Sequence, residues 1–190
     1  MASIPSFSSV AASAVELDVN RVHEDYADFV WRTLQRLGVV AQDLEDALQE
    51  VFVVVHKKLT TFDHSSRLST WLFGICLRVA AAQRRRAYRR REELVSELEE
   101  RLLADPGSDP EQSLLRQQAA ARLELVLASL TLERRAVFVM FEIEGIAAPA
   151  IAEMLGVPVG TVYSRLSTAR AEFTQAVARL ERRDGKRGSL

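Results

Sequence analysis

Cysteine is nearly absent: Cys76 is the only one in 190 residues. A single cysteine cannot make an internal disulfide, and its apolar helical surroundings mark it as a buried small hydrophobe. The three histidines, His23, His56 and His64, stand far apart with no cysteine partners, so no metal-ligand spacing is present. The chain has no glycine-rich phosphate loop and no nucleophile elbow. Its many acids fall on solvated helix faces or in one loop-rich stretch. The expectation is a protein that is not an enzyme by itself and uses neither metal nor cofactor. Long apolar runs are missing too. Runs such as Val51–Val55 are far shorter than the roughly 20 residues a membrane span needs. Residues 1–15 are rich in Ala and Ser but lack a basic start and a long apolar stretch, so they do not read as a secretory signal. A cytoplasmic protein with no membrane contact is expected.

Net charge is also small, −1, but that average hides segregation. Residues 16–50 hold nine acids against three bases, residues 84–91 (RRRAYRRR) hold six arginines and no acid, and residues 92–111 hold eight acids against one base. Acidic and basic surfaces on one small chain imply two different partners. Scattered solvated charge accounts poorly for the arginine block. It ends a helix, where cations complement the dipole, yet six exceed that need and suit neutralisation of phosphates.

No stretch alternates apolar and polar residues long enough for a strand, so the chain reads as all-α. A flexible tail over 1–19 precedes a helix from about Val22 to Leu37, stopped by Gly38. A second helix, about Asp43 to Leu59, buries Leu44, Ala47, Leu48, Val51, Phe52, Val55 and Leu59 at the 3.6-residue period. After the loop 60–67, a third helix from about Ser69 to Arg90 buries Trp71, Leu72, Ile75, Cys76 and Val79. These make a first domain, 20–91. Residues 92–120 are acidic and contain ADPGSDP at 104–110, which reads as a flexible linker with room for short helical pieces. A second domain, 121–182, has helices near Arg122–Ser129, Leu132–Ile143, Ala148–Leu155 and Val159–Leu180, with a polar tail over 183–190.

The stretch 151–170, IAEMLGVPVGTVYSRLSTAR, has helix-turn-helix spacing. Ala152 allows a close crossing, Gly156 supplies the positive φ of the turn, and Val162 anchors the second helix. Ile151, Leu155, Val157 and Leu166 share that core. Thr161, Tyr163, Ser164, Arg165, Ser167 and Thr168 are left facing outward, on a helix that fits the DNA major groove. An ordinary helical hairpin with a polar face is the plainer reading of the same pattern. The loop Phe62, Asp63, His64, Ser65, Ser66, Arg67 offers an aromatic, polar donors and an arginine, suited to an unstacked base, and equally to an ordinary connection. Asp43, Asp46, Gln49 and Glu50 form an acidic face that repels DNA and fits a basic protein surface. Asp43 also suits a helix N-cap.

In this order these segments resemble a bacterial RNA polymerase sigma factor of the extracytoplasmic-function (ECF) group of the sigma-70 family. DLEDALQEVFVVVHKKL (43–59) resembles the helix that binds core polymerase. FDHSSRLSTWLFGICLRVAAAQRRR (62–86) resembles the segment that recognises and melts the −10 element. LASLTLERRAVFVMFEIEGIAAPAIAEMLGVPVGTVYSRLSTARAEF (127–173) resembles the −35-binding domain. The resemblance implies a transcription initiation factor with two helical domains, sigma region 2-like and region 4-like. Asp43, Asp46, Gln49 and Glu50 then face the β′ coiled coil of RNA polymerase, and the second domain docks on the β flap. Phe62, Asp63, His64, Ser65, Ser66 and Arg67 hold a flipped base of single-stranded −10 DNA. Trp71 supports that element, with Arg78, Arg84 and Arg85 on its backbone or bases. Thr161, Tyr163, Ser164, Arg165, Ser167 and Thr168 face duplex −35 DNA. An anti-sigma factor is implied as an inhibitory partner. Family members often carry Asn at Arg78, Asp at Ala82, a basic residue at Tyr163, and larger or basic residues at Ser167 and Thr168, so base readout rests chiefly on Arg165. A stand-alone helix-turn-helix regulator is the alternative, but no heptad seam offers the dimer it needs. A helical interaction module that never touches DNA explains still less of the charge pattern.

Overall fold

The computed structural model describes residues 18–93 and 110–187. The tail expected over 1–19 lies almost wholly outside the described residues, as do most of ADPGSDP and residues 188–190. Among the described residues there is no strand, and no helix is long and apolar enough to cross a membrane.

Helix α1, Val19–Arg36, ends where expected, at Gly38. Gly38 takes φ +87°, its N–H donates to Gln35 O, and the Val39 N–H reaches back to Leu34 O at 3.1 Å. This double closure satisfies carbonyls that the helix end would otherwise leave open. A 3₁₀ turn, Ala41–Asp43, leads into α2, Leu44–Lys58, and a second, Leu59–Thr61, follows it. Helix α3, Leu68–Glu93, runs into the arginine block. These three helices pack on one another around Val30, Leu34, Val51, Val55, Leu72 and Cys76.

Helix α4, Pro110–Leu127, corrects the expected linker, because it begins ten residues before 120. Proline at the first helical position loses no hydrogen bond, and the following EQSLLRQQAAARLELVL is built of strong helix formers. Thr131 caps α5, Leu132–Phe138, by accepting from the Arg134 N–H. The helix expected to continue to Ile143 instead widens into a π turn over Val139–Ile143. Arg135 through Met140 are all buried, more than one face of a regular helix. Helix α6, Ala148–Leu155, and α7, Val159–Arg187, complete the chain.

The apolar core is continuous through all of these elements. Where α3 meets the second half of the chain, Gly74 is covered by the Met154 side chain of α6. At the end of α1, Arg36 Nη1 donates to Glu144 Oε1 at 2.8 Å. The Arg135 guanidinium lies over Gly38, where a Cβ would collide with it.

Candidate nucleic-acid interface

The turn between α6 and α7 is closed by Gly156 at φ +63°, with its N–H donating to Glu153 O and the Val157 N–H to Ala152 O. Ala147 occupies the N-cap of α6 with no side-chain bond, and Pro149 follows in the first turn, where its missing N–H costs little. Ile151, Ala152, Val162 and Leu166 are buried at the crossing. The remaining side of α7 exposes Tyr163 (55%), Ser164, Ser167 and Thr168, with Thr161 and Arg165 half-buried. The Thr168 hydroxyl donates to Ser164 O at 3.1 Å, so its proton is taken within the helix. Arg170, two residues beyond Thr168, is held by Glu142 at 2.6 Å and lies 5.6 Å over the Phe141 ring.

Arg165 sits in the field of Glu133, in the first turn of α5. The Glu133 carboxyl is held below its ordinary pKa chiefly by its own backbone N–H. The Thr131 hydroxyl and the charges of Arg165 and Arg84 add to this, against slight burial. Arg84 belongs to α3, so a single carboxylate lies near arginines expected to serve two different DNA elements.

The loop before α3 is locally built. Asp63 Oδ1 accepts from the Ser65 N–H at 3.0 Å and its hydroxyl at 2.7 Å. Those two bonds, side chain first, lower the Asp63 pKa. His64 takes φ +58°, the left-handed region. Phe62 departs from the expected base-stacking role. It is only 8% exposed and packs between His64 (4.6 Å) and Trp71 (5.4 Å between ring centroids), so it anchors the loop from below. Asp63, His64, Ser65, Ser66 and Arg67 remain exposed.

Along α3, Trp71, Gly74, Arg78 and Arg85 fall at i, i+3, i+7 and i+14, one stripe of the helix. Trp71 is half-buried; Arg78, Arg84 and Arg85 are exposed. Arg84 points about 120° away, toward α5. Arg86, not singled out from sequence, pairs with Glu50 of α2. Its signal was only its place in the arginine block.

On α2, Asp46 and Gln49 are exposed, while Glu50 is half-buried by its pairing with Arg86. Asp43 departs from the expected acidic face: at 8% exposure it is buried at the joint between the 3₁₀ turn and α2. Val53, 52% exposed, extends the Asp46–Gln49 stripe by one turn. Sequence reading left it off the buried face but did not add it to the acidic one, because a valine carries no charge to mark it. Among the described residues no three His, Cys, Asp or Glu gather as a metal-binding group.

Family models match both halves: Sigma-70 region 2 over residues 22–91, and Sigma-70, region 4 over residues 120–173. The RNA polymerase sigma factor HrpL of Pseudomonas syringae pv. syringae is 32% identical over 165 residues, covering 84% of this chain and 86% of HrpL. The ECF RNA polymerase sigma factor SigE of Mycolicibacterium smegmatis is 34% identical over 154 residues, covering 81% of this chain and 59% of SigE. The chain belongs to the ECF group of sigma-70 factors. Two solved structures share its fold. RpoE of Bartonella quintana, in complex with the anti-sigma factor NepR, superposes with a TM-score of 0.65 at 20% identity, covering 84% of this sigma factor and 96% of RpoE. CnrH, in complex with the cytosolic domain of CnrY, gives 0.59 at 22% identity over 84% and 87%.

Proposed function

We propose that this sigma factor docks on core RNA polymerase, directs it to promoters through −10 and −35 contacts, and promotes melting by trapping unstacked bases. The observation that carries the reading is the co-occurrence in one chain of an acidic exposed helix, an arginine-ended helix and a helix-turn-helix. On this reading Asp46, Gln49, Val53 and Glu50 meet the β′ coiled coil, and the second module meets the β flap. Asp63, His64, Ser65, Ser66 and Arg67 receive a flipped base beside Trp71, with Phe62 holding the loop from below. Arg78, Arg84 and Arg85 track the −10 strand. Thr161, Tyr163, Ser164, Arg165, Ser167 and Thr168 enter the −35 major groove. Capture of single-stranded bases drives melting without nucleotide hydrolysis by the factor. The factor works in the cytoplasm, where polymerase is, and an anti-sigma factor is its natural inhibitor, as NepR is found on RpoE.

The test mixes the purified chain with core RNA polymerase and genomic promoter fragments, and maps permanganate-reactive thymines. Melting centred near −10 that requires both components is the expected result. Stable promoter binding by the chain alone, without melting, overturns it in favour of a free-standing regulator.

A further inference from the structure

We infer that this factor reads thymine in the −35 element by apolar contact, with Tyr163 and Val159 on one flank of α7 packed against thymine C5-methyl groups. The inference rests on the −35 reading proposed above and adds the base feature that is read and the side chains that read it.

The two flanks of α7 differ in chemistry. Successive residues turn by about 100° round a helix, so Val159 and Tyr163, four apart, lie about 40° from each other. Both fall in the first turns of α7, and both are open to solvent, Val159 at 37% and Tyr163 at 55%. Tyr163 is the most exposed large apolar side chain among the described residues. Arg165 lies about 160° round from Tyr163, on the other flank, half-buried beside Glu133. Arg170 does share the flank of Tyr163, but its Nε donates to Glu142 at 2.6 Å and its guanidinium covers the Phe141 ring. Ser167, the next residue along, is short. This flank therefore offers two apolar surfaces and no free charge.

The major groove has one apolar feature to match. Guanine presents N7 and O6, adenine N7 and an amino group, and cytosine an amino group. Thymine presents O4 and a C5-methyl. A valine or a phenol ring laid on the purine edges or on the cytosine amino group strips water from a polar atom without replacing its hydrogen bond, which is costly. Laid on a methyl, the same side chains remove apolar area from water on both partners. The first turns of a recognition helix are the part that reaches base edges, and Val159 and Tyr163 are placed there. Their Cβ atoms are about 6 Å apart, and bases on one strand rise about 3.4 Å per step, so the two methyls read lie within about two steps of each other.

The test uses holoenzyme assembled from the full chain and core polymerase. Its probe is a duplex carrying the −35 and −10 elements of a fragment melted in the permanganate assay. Each −35 thymine in turn is replaced by deoxyuridine, which deletes the methyl and keeps every hydrogen-bonding group. The expected result is a loss of about fourfold in affinity for each methyl read, the factor for one such group taken from water. Tyr163→Ser, at an exposed position that carries no core, abolishes the loss at one thymine. Val159→Ser abolishes it at a second, within about two steps. Tyr163→Phe keeps the loss, because the ring remains, and Arg165→Ala keeps it, because Arg165 serves the other flank. A −35 element without thymine overturns the inference. So does equal affinity for thymine and uracil duplexes, or a methyl effect that Tyr163→Ser leaves intact. A loss that disappears in Tyr163→Phe assigns the contact to the phenol hydroxyl and overturns apolar readout. If no fragment melts, the function proposed above fails and this inference falls with it, a result distinct from melting without methyl sensitivity.

Discussion

At the residue scale, two glycines near one turn have opposite meanings. Gly156 sits at φ +63°, and a Cβ added there meets nothing within 4 Å. The cost of Gly156→Ala is therefore torsional, about 1–2 kcal/mol, without any steric part. Gly160 has no positive φ, lies inside α7 and also faces open space. Gly160→Ala should stabilise by a few tenths to about 1 kcal/mol through helix propensity. Urea-unfolding midpoints of the two variants must move in opposite directions. The Gly156 role was legible in the sequence because helix-turn-helix spacing names the turn position. Phe62 was not legible, and Asp43 only in part: its place at the N-cap of α2 was, its burial there was not. Both residue types suit an exposed functional surface, and only the packing of Phe62 under His64 and Trp71, and of Asp43 at a turn-to-helix joint, withdraws them from it.

At the element scale, helices with one clean apolar stripe were read well: α2 and α6 fall within a residue or two of expectation. The failures have physical causes. Helix α4 was hidden by the acidic, proline-bearing segment before it, although Pro110 opens the helix that it seemed to prohibit. The π turn after α5 has no periodic signature, since every residue from Arg135 to Met140 is buried as the helix enters it. The faces of α2 and α7 support two separable predictions. Asp46 is exposed and carries no core, so Asp46→Lys should leave stability within about 0.5 kcal/mol while weakening core-polymerase affinity tenfold or more, about 1.4 kcal/mol. Fluorescence titration of core polymerase against labelled factor measures this. Unchanged affinity removes α2 from the docking surface. On α7, Arg165→Ala in the holoenzyme should cost about 1–3 kcal/mol at one −35 position and relax preference there. Binding across a set of single-base −35 variants reads it, and equal loss on every variant assigns Arg165 to phosphate.

At the scale of the whole molecule, the contact between modules was invisible in the sequence. Periodicity reports which face of a helix is buried against its own domain. In α3 that face is Leu72, Ile75, Cys76 and Val79, and Gly74 lies well off it. Nothing local marks Gly74 as the seat of Met154, some eighty positions away. The continuous core has a thermodynamic consequence. Trp31 and Trp71, the chain's two tryptophans, lie in α1 and α3, so indole fluorescence follows only the first module, whereas far-UV circular dichroism follows every helix. If the Met154–Gly74, Arg36–Glu144 and Arg135–Gly38 contacts couple the modules, both signals trace one urea transition in the free chain. In Gly74→Gln the first module keeps its helix, since glutamine favours helix over glycine, but loses the shared surface. The two transitions should then separate, with the dichroism curve broadening into two steps while the fluorescence curve stays single. Coincident curves in both proteins mean that the modules share stability through some other contact. Separate curves in the unmodified chain mean that the packing contributes too little to couple them.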